Sequence, residues 1–376
     1  MSAGKFVCAD RIWQERNVKR RAQAIALAVQ TGYPGARSEY VAPRVMLRMF
    51  ARVLSHGRLA AKGEVMNGIT VFSGTAHRTF ATEVCAHLQT PLSPSHSQRF
   101  ANDCMQVQLQ ENCRQRDVFL IQPLSRPTQE HLMELLLMAD AARGASASRI
   151  TAVIPFYAYA RSDKKDAPRI SIGGRLVADL LVTAGVNRVL TMALHSPQVH
   201  GFFSVPVDHL HARNELAGHF RQYDLSNAVV VSPDLGGAKD AAAFARLLGT
   251  PVAAGAKQRF PDDKVVISAI IGDVAGKDVI VLDDEIAKGS TMIELMQRLR
   301  EGDARSIRLA CTHGLFSSDA LERLSALQDV VEIVCTNTVP IAEDESTPKL
   351  KVLSVAPAMA EAIRRIHNGE SVSALF

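Results

Sequence analysis

The densest chemistry in the chain lies in Asp283-Asp284-Glu-Ile-Ala287-Lys288-Gly289-Ser290-Thr291, directly after the apolar run Val279–Leu282. A strand here delivers two adjacent carboxylates at its C-terminal end, and Gly, Ser and Thr follow just ahead of a helix. Open parallel sheets bind ligands at that edge. The small residues let backbone N–H groups approach an anion, which then faces the positive end of the new helix. Paired carboxylates can accept from sugar hydroxyls or hold a divalent cation. An ordinary helix cap needs only one Asp or Ser, so the segment reads as a phosphosugar site.

Four further segments place polar groups after candidate strands. Arg161-Ser162-Asp163-Lys164-Lys165-Asp166 follows the strand ending at Pro155 and suits a polyphosphate, to which Arg and Lys donate charge-assisted hydrogen bonds. Thr191-Met-Ala193-Leu-His195-Ser-Pro-Gln198 and Ser232-Pro-Asp234-Leu-Gly236-Gly237 each offer a potential metal or phosphate contact. Taken singly, they are weak, because a lone His is usually structural and Asp-x-Gly-Gly is common turn chemistry. Lys257-Gln258-Arg259-Phe-Pro-Asp-Asp-Lys264 is a basic stretch between strands and suits a mobile loop that folds over a ligand.

Regular alternation from about Gly68 onward must position these groups. Short β-branched runs at 69–72, 118–122, 150–155, 188–193, 228–232, 279–282, 307–311, 331–335 and 352–355 read as buried strands. Between them 128–143, 174–184, 239–248, 291–301 and 359–367 carry helical apolar faces. Alternating strands and helices predict an α/β fold with largely parallel sheets. Nine strands exceed one small sheet, so the body divides near 205–214.

The 376 residues, 47% hydrophobic and 22% charged, exclude a disordered chain. No apolar run approaches the roughly 18 residues of a membrane span, and Asp10, Arg11, Glu15 and Arg16 break up any secretory core. Six scattered cysteines with no CxxC pair imply reduced thiols and a cytoplasmic protein. Charge is unevenly spread. Residues 1–66 hold twelve Lys/Arg against four Asp/Glu, a net of +8, which leaves −3 of the chain's +5 on the remainder. This basic extension, helical at 22–30, lacks the interleaved aromatic residues of a nucleic-acid binder, so no nucleic acid is expected as a partner.

Together these segments resemble the ribose-phosphate diphosphokinase (phosphoribosyl pyrophosphate synthetase) family from about Ile69 to Phe376. The resemblance is carried by His131–Leu135, Ile150–Lys165, Gly201–Leu210, Val229–Lys239, Ile270–Asp278 and Ala360–Phe376. It implies two doubly wound parallel-sheet domains of phosphoribosyltransferase type I related by a pseudo-twofold. Their expected limits are 67–210, completed by 356–376, and 211–355, with 1–66 outside the resemblance. The activity implied is transfer of the diphosphoryl group of ATP to the C1 hydroxyl of ribose 5-phosphate, with Mg²⁺ as cofactor, in a dimer-based or hexameric homo-oligomer. By the same resemblance Lys257 and Arg259 would be catalytic and His195 and Asp234 would bind the metal. Phe100, Asn102, Asp103, Arg161 and Ser162 would bind ATP. Asp283, Asp284, Ala287, Lys288, Gly289, Ser290 and Thr291 would bind the ribose phosphate. The chain departs from the family pattern at Cys104, Ser162, Ala193, Ala287 and Lys288. Two alternatives remain open: the same transfer to a phosphate-extended acceptor such as ADP-ribose, and a non-catalytic regulatory paralogue.

Overall fold

The computed structural model describes residues 68–259, 265–342 and 346–375; the basic extension, with its expected helix at 22–30, lies outside them. Val65–Phe376 forms one compact unit. Its first sheet is wholly parallel, in the order β2-β1-β5-β6-β7-β8. The strands are β1 (Ile69–Ser73), β2 (Leu92–Ser93), β5 (Asp117–Ile121), β6 (Arg149–Ile154), β7 (Arg188–Met192) and β8 (Val207–Leu210). A separate antiparallel hairpin, β3 (Ser95–Arg99) and β4 (Met105–Leu109), stands beside it.

Alternation along each strand dictates how this sheet is covered. In β5, Val118 and Leu120 face one way and Phe119 and Ile121 the other. One face takes α1 (Arg78–Leu88) through Phe80 and Val84, and α8 (Ala356–Asn368) through Met359 and Ile363. The other takes α2 (Thr128–Gly144) through Leu135 and Met138, and α3 (Gly173–Ala184) through Val177 and Leu181. Each fully buried Met, Leu or Ile side chain contributes about 2 kcal/mol. Helix α8 is therefore held on the first sheet although it follows every strand of the second.

The second sheet runs β11-β10-β9-β12-β13-β14-β15. Its strands are β9 (Ala228–Ser232), β10 (Val252–Arg259), β11 (Val265–Ile271), β12 (Asp278–Ile286), β13 (Ser306–Gly314), β14 (Val330–Thr336) and β15 (Leu350–Leu353). All pairs are parallel except β10 with β11, an antiparallel edge. Helices α4 (Arg213–Phe220) and α5 (Ala238–Leu248) cover one face through Phe220 and Phe244. Helices α6 (Ser290–Glu301) and α7 (Ala320–Ser325) cover the other through Leu295 and Leu324. Among the described residues no helix is long and apolar enough to cross a membrane.

The structure has the α/β architecture expected from the sequence, with parallel sheets covered on both faces. It differs at Lys257–Arg259, where a mobile loop was expected. These residues are the end of β10, and their backbone pairs with Val265–Ile267 across the hairpin after a register shift between Gly255 and Lys257. The rest of that basic stretch, 260–264, lies outside the described residues.

Candidate active site

In both sheets the chain first adds strands on one side and then crosses to the other. That leaves a crevice at the C-terminal strand ends, where parallel sheets bind ligands. In the second sheet the reversal falls between β9 and β12. β9 runs into the turn that holds Asp234, and β12 carries Asp283, Asp284 and Glu285 just before its last residue, Ile286.

The central contact joins strand ends of the two sheets. His195, just past β7, has Nδ1 2.8 Å from Asp284 Oδ2 across 89 residues of sequence. Asp283 Oδ1 accepts the Asp284 backbone N–H at 2.9 Å, which fixes the acidic turn. Burial beside Asp284 and Asp234 pushes the Asp283 carboxyl well above the usual carboxylate range. Burial is the strongest single influence on Asp284 and pulls it upward, but the bond and charge of His195 together with the Asp283 bond and the His313 ring outweigh it and leave Asp284 below its ordinary value. The bond with Asp284 raises His195, against a smaller opposing effect of burial. The site thus holds one carboxyl that resists ionisation and one held ionised by an imidazole.

Arg161 closes the short 3₁₀ turn Ala158–Arg161 that follows β6. Its Nε lies 2.8 Å from Oε1 of Glu285, which is buried on β12. Ser162 does not present its hydroxyl to the crevice: Oγ accepts the Gly173 N–H at 2.8 Å, and the Ser162 carbonyl accepts the Gly174 N–H at 2.9 Å. These bonds satisfy donors at the start of α3, which lacks a capping side chain of its own at Ile172.

Residues 287–291 form a tight turn that leads from β12 into α6. Gly289 sits at φ +71°, which favours glycine, and caps the N-terminus of α6. Its carbonyl accepts the Ile293 N–H at 2.9 Å, and the Ala287 carbonyl accepts the Ser317 N–H at 3.0 Å. Lys288 and Ser290 are exposed and Thr291 half-buried. Asp234 Oδ1 accepts the Gly237 N–H at 3.1 Å, shaping the turn after β9.

The segment expected to bind ATP through Phe100, Asn102 and Asp103 forms a different feature. Phe100, Asn102 and Asp103 are the turn of the β3–β4 hairpin, in which the Phe100 N–H donates to the Cys104 carbonyl at 2.8 Å. Arg99 braces the turn through Asp103 and Glu130, each at 2.5 Å. Phe100 is exposed. Among the described residues no hydrogen bond or ion pair joins this turn to His195, Asp284 or Arg161. For Lys257 and Arg259 the structure describes the backbone alone.

Sequence reading missed His313 on β13. It is buried, its Nε2 donates to the Ala193 carbonyl at 3.1 Å, and its Nδ1 meets Thr338 Oγ1 at 2.8 Å. Ala193 stands at φ +44°, a conformation an alanine seldom adopts. His313 therefore holds the strained turn that presents His195, and burial lowers its own pKa to about 4, keeping the ring neutral. Arg126 also escaped notice; its Nη2 donates to Ser317 Oγ at 2.8 Å, and the Ser317 N–H in turn donates to the Ala287 carbonyl. A buried His after a β-branched run was visible as a type, but its partner 120 residues away was not.

A model of the N-terminal domain of ribose phosphate pyrophosphokinase matches residues 69–185, and one of the phosphoribosyl synthetase-associated domain matches residues 254–376. A Streptomyces coelicolor protein assigned as a ribose-phosphate pyrophosphokinase is 74% identical over 311 residues, covering 83% of this chain and 98% of its own. The ribose-phosphate pyrophosphokinase of Deinococcus radiodurans is 50% identical over 313 residues, covering 82% and 98%. The crystal structure of phosphoribosylpyrophosphate synthetase from Mycobacterium smegmatis superposes with a TM-score of 0.76 at 40% identity, covering 81% of this chain and all of that one. With relatives this similar along nearly their whole length, and a crevice built from the same strand ends that the sequence marked out, the chain belongs to the ribose-phosphate pyrophosphokinase family.

Proposed function

We propose that this chain is an active enzyme that transfers the diphosphoryl group of ATP to the C1 hydroxyl of ribose 5-phosphate. The observation that carries the reading is the 2.8 Å contact between His195 and Asp284, which joins a strand end of the first sheet to the acidic strand end of the second. In the reaction the C1 oxygen attacks the β-phosphorus and gives up its proton. The bond from that phosphorus to the α–β bridging oxygen breaks, and AMP leaves with the oxygen. Such a displacement needs in-line positioning and charge neutralisation, with no covalent intermediate.

Asp283 and Asp284 hold the ribose hydroxyls in this reading. Backbone N–H groups across Ala287, Lys288, Gly289, Ser290 and Thr291 cradle the 5-phosphate, and the α6 N-terminus supplies a favourable field. Arg161 meets the ATP phosphates, and Phe100, Asn102 and Asp103 take the adenine. Ser162 shapes the turn that carries Arg161. Lys257 and Arg259, on the β10 end, meet charge that grows in the transition state. The domains are 67–210 with 356–376, and 211–355, working as a dimer-based homo-oligomer in the cytoplasm.

The donor set suits Mg²⁺. Mg²⁺ takes one or two protein ligands and completes its shell with water and substrate phosphates. His195 keeps Nε2 available because Nδ1 is engaged by Asp284, and Asp234 supplies a carboxylate close enough to raise the Asp283 pKa. Bound there, the cation would polarise phosphate oxygens. The test is nucleotide chromatography of a reaction with ATP and Mg²⁺: AMP release dependent on ribose 5-phosphate supports the reading, and ADP release contradicts it.

A further inference from the structure

Glu285 has no role in the scheme above, yet it occupies a central position. It lies on β12 immediately after Asp283 and Asp284, and its side chain is 8% exposed. A carboxylate buried beside other acids is costly without a cation. Arg161 supplies that cation from the other sheet, Nε to Oε1 at 2.8 Å, and is itself 53% exposed. The pair is therefore asymmetric, with a fixed buried acid and a guanidinium at the crevice surface. The contact uses Nε, and a guanidinium carries its remaining donors on the two Nη atoms. Glu285 also lies within electrostatic reach of His195 and Asp284.

We propose that Glu285 is a positioning residue for diphosphoryl transfer: it anchors Arg161 by Nε so that the Nη groups meet the ATP phosphates. It also ties that orientation to the strand that carries the ribose-binding pair Asp283 and Asp284. The inference rests on the reading of Arg161 as a nucleotide contact.

The test uses the full chain with Glu285→Met, Glu285→Gln, Arg161→Lys and the double variant Arg161→Lys/Glu285→Met. Initial rates are measured against ATP at saturating ribose 5-phosphate and the reverse, with circular dichroism checking the fold. Glu285→Met keeps the length of the side chain and removes the anchor. It should lower kcat/KM for ATP by about 10- to 100-fold, the scale of a misplaced contact, and leave KM for ribose 5-phosphate within about 2-fold of wild type. Glu285→Gln still accepts from Nε–H and should recover most of the loss. Because both residues act as one unit, the double variant should be no worse than Arg161→Lys alone. Should Glu285→Met fail to fold, Glu285→Asp, which retracts the carboxylate by one methylene, should show the same ATP-side loss in smaller measure. An equal fall in kcat for both substrates with unchanged KM, or additive losses in the double variant, would overturn the inference while Arg161→Lys still impaired ATP use. If Arg161→Lys left ATP use untouched, the assignment of Arg161 to the nucleotide would fall, and the inference with it.

Discussion

Asp284→Asn tests the sugar side of the crevice most sharply. The substitution keeps the shape of the side chain and removes its charge. Asp284 is bonded to His195 at 2.8 Å and its side chain is 25% exposed, so a sugar hydroxyl can reach it. A hydrogen bond to a charged acceptor is worth about 1.5–3 kcal/mol. The variant weakens two such bonds, one to the sugar and one to His195, which share an acceptor and so do not add fully. A loss of about 3 kcal/mol follows, or roughly 150-fold in kcat/KM for ribose 5-phosphate at 1.36 kcal/mol per tenfold. The assay is initial-rate kinetics with ribose 5-phosphate and with a deoxy analogue lacking one ring hydroxyl, beside calorimetric binding of ATP. Wild type should discriminate between the two acceptors more strongly than the variant does, and ATP affinity should change little. Near-normal kcat/KM in Asp284→Asn, or unchanged discrimination, would refute the placement of the sugar.

Lys257→Ala and Arg259→Ala should each raise the barrier by about 2–4 kcal/mol, the cost of one preorganised electrostatic donor. Calorimetric ATP affinity should stay near wild type, and near-normal turnover would remove these residues from the reaction. Lys288→Thr should weaken an ADP-ribose-like acceptor by about 1–3 kcal/mol through the lost charge-assisted bond and barely change ribose 5-phosphate, as measured by kcat/KM at fixed salt. Turnover of ribose 5-phosphate alone, unaffected by the change, would leave Lys288 without a role in acceptor choice. Asp117, at the start of β5, ties α8 to the first sheet by accepting from His367 Nδ1 and Arg149 Nε, each at 2.8 Å. Burial pushes its carboxyl upward, but the bonds from His367 and Arg149 outweigh that and hold it below the usual range. A folded pKa below the unfolded one stabilises the protein above pH ~4 and loses that stability as pH falls through the folded value. Asp117→Asn should therefore lower the thermal midpoint at pH 7 and flatten its fall below about pH 4; an unchanged acid slope would show that the clamp carries no such stability.

What the sequence disclosed, and what it hid, follows from where each signal resides. β1, β5, β9 and β12 were legible because both faces of a parallel sheet are covered, which demands continuous runs such as Val229-Val230-Val231 and Val279-Ile280-Val281. The β3–β4 hairpin was not, since Ser95–Arg99 and Met105–Leu109 contain no fully buried side chain. β8 was hidden by Asp208 and His209. Asp208 is satisfied by Arg188 on the neighbouring strand at 2.5 Å, and His209 by the Leu194 N–H at 2.8 Å. The passage from the strand end at Asp283 and Asp284 through Gly289 into α6 was readable because its pattern is local. The bonds of His195 to Asp284, Arg161 to Glu285 and His313 to Ala193 are tertiary, and no spacing along the chain encodes them. The bond by which Ser162 Oγ accepts the Gly173 N–H at 2.8 Å was likewise hidden, because the charged loop after a strand does not disclose which helix its hydroxyl serves.

The central claim concerns which phosphorus is attacked. ³¹P NMR of the full-length protein with ATP, Mg²⁺ and ribose 5-phosphate follows every phosphorus at once. The account predicts loss of the three ATP resonances and matched growth of AMP and of a coupled diphosphate pair attached at the sugar C1, with the 5-phosphate retained. Growth of ADP with a sugar that carries a single phosphate at C1 beside its 5-phosphate, or ATP bound but unconverted with ribose 5-phosphate present, would contradict it.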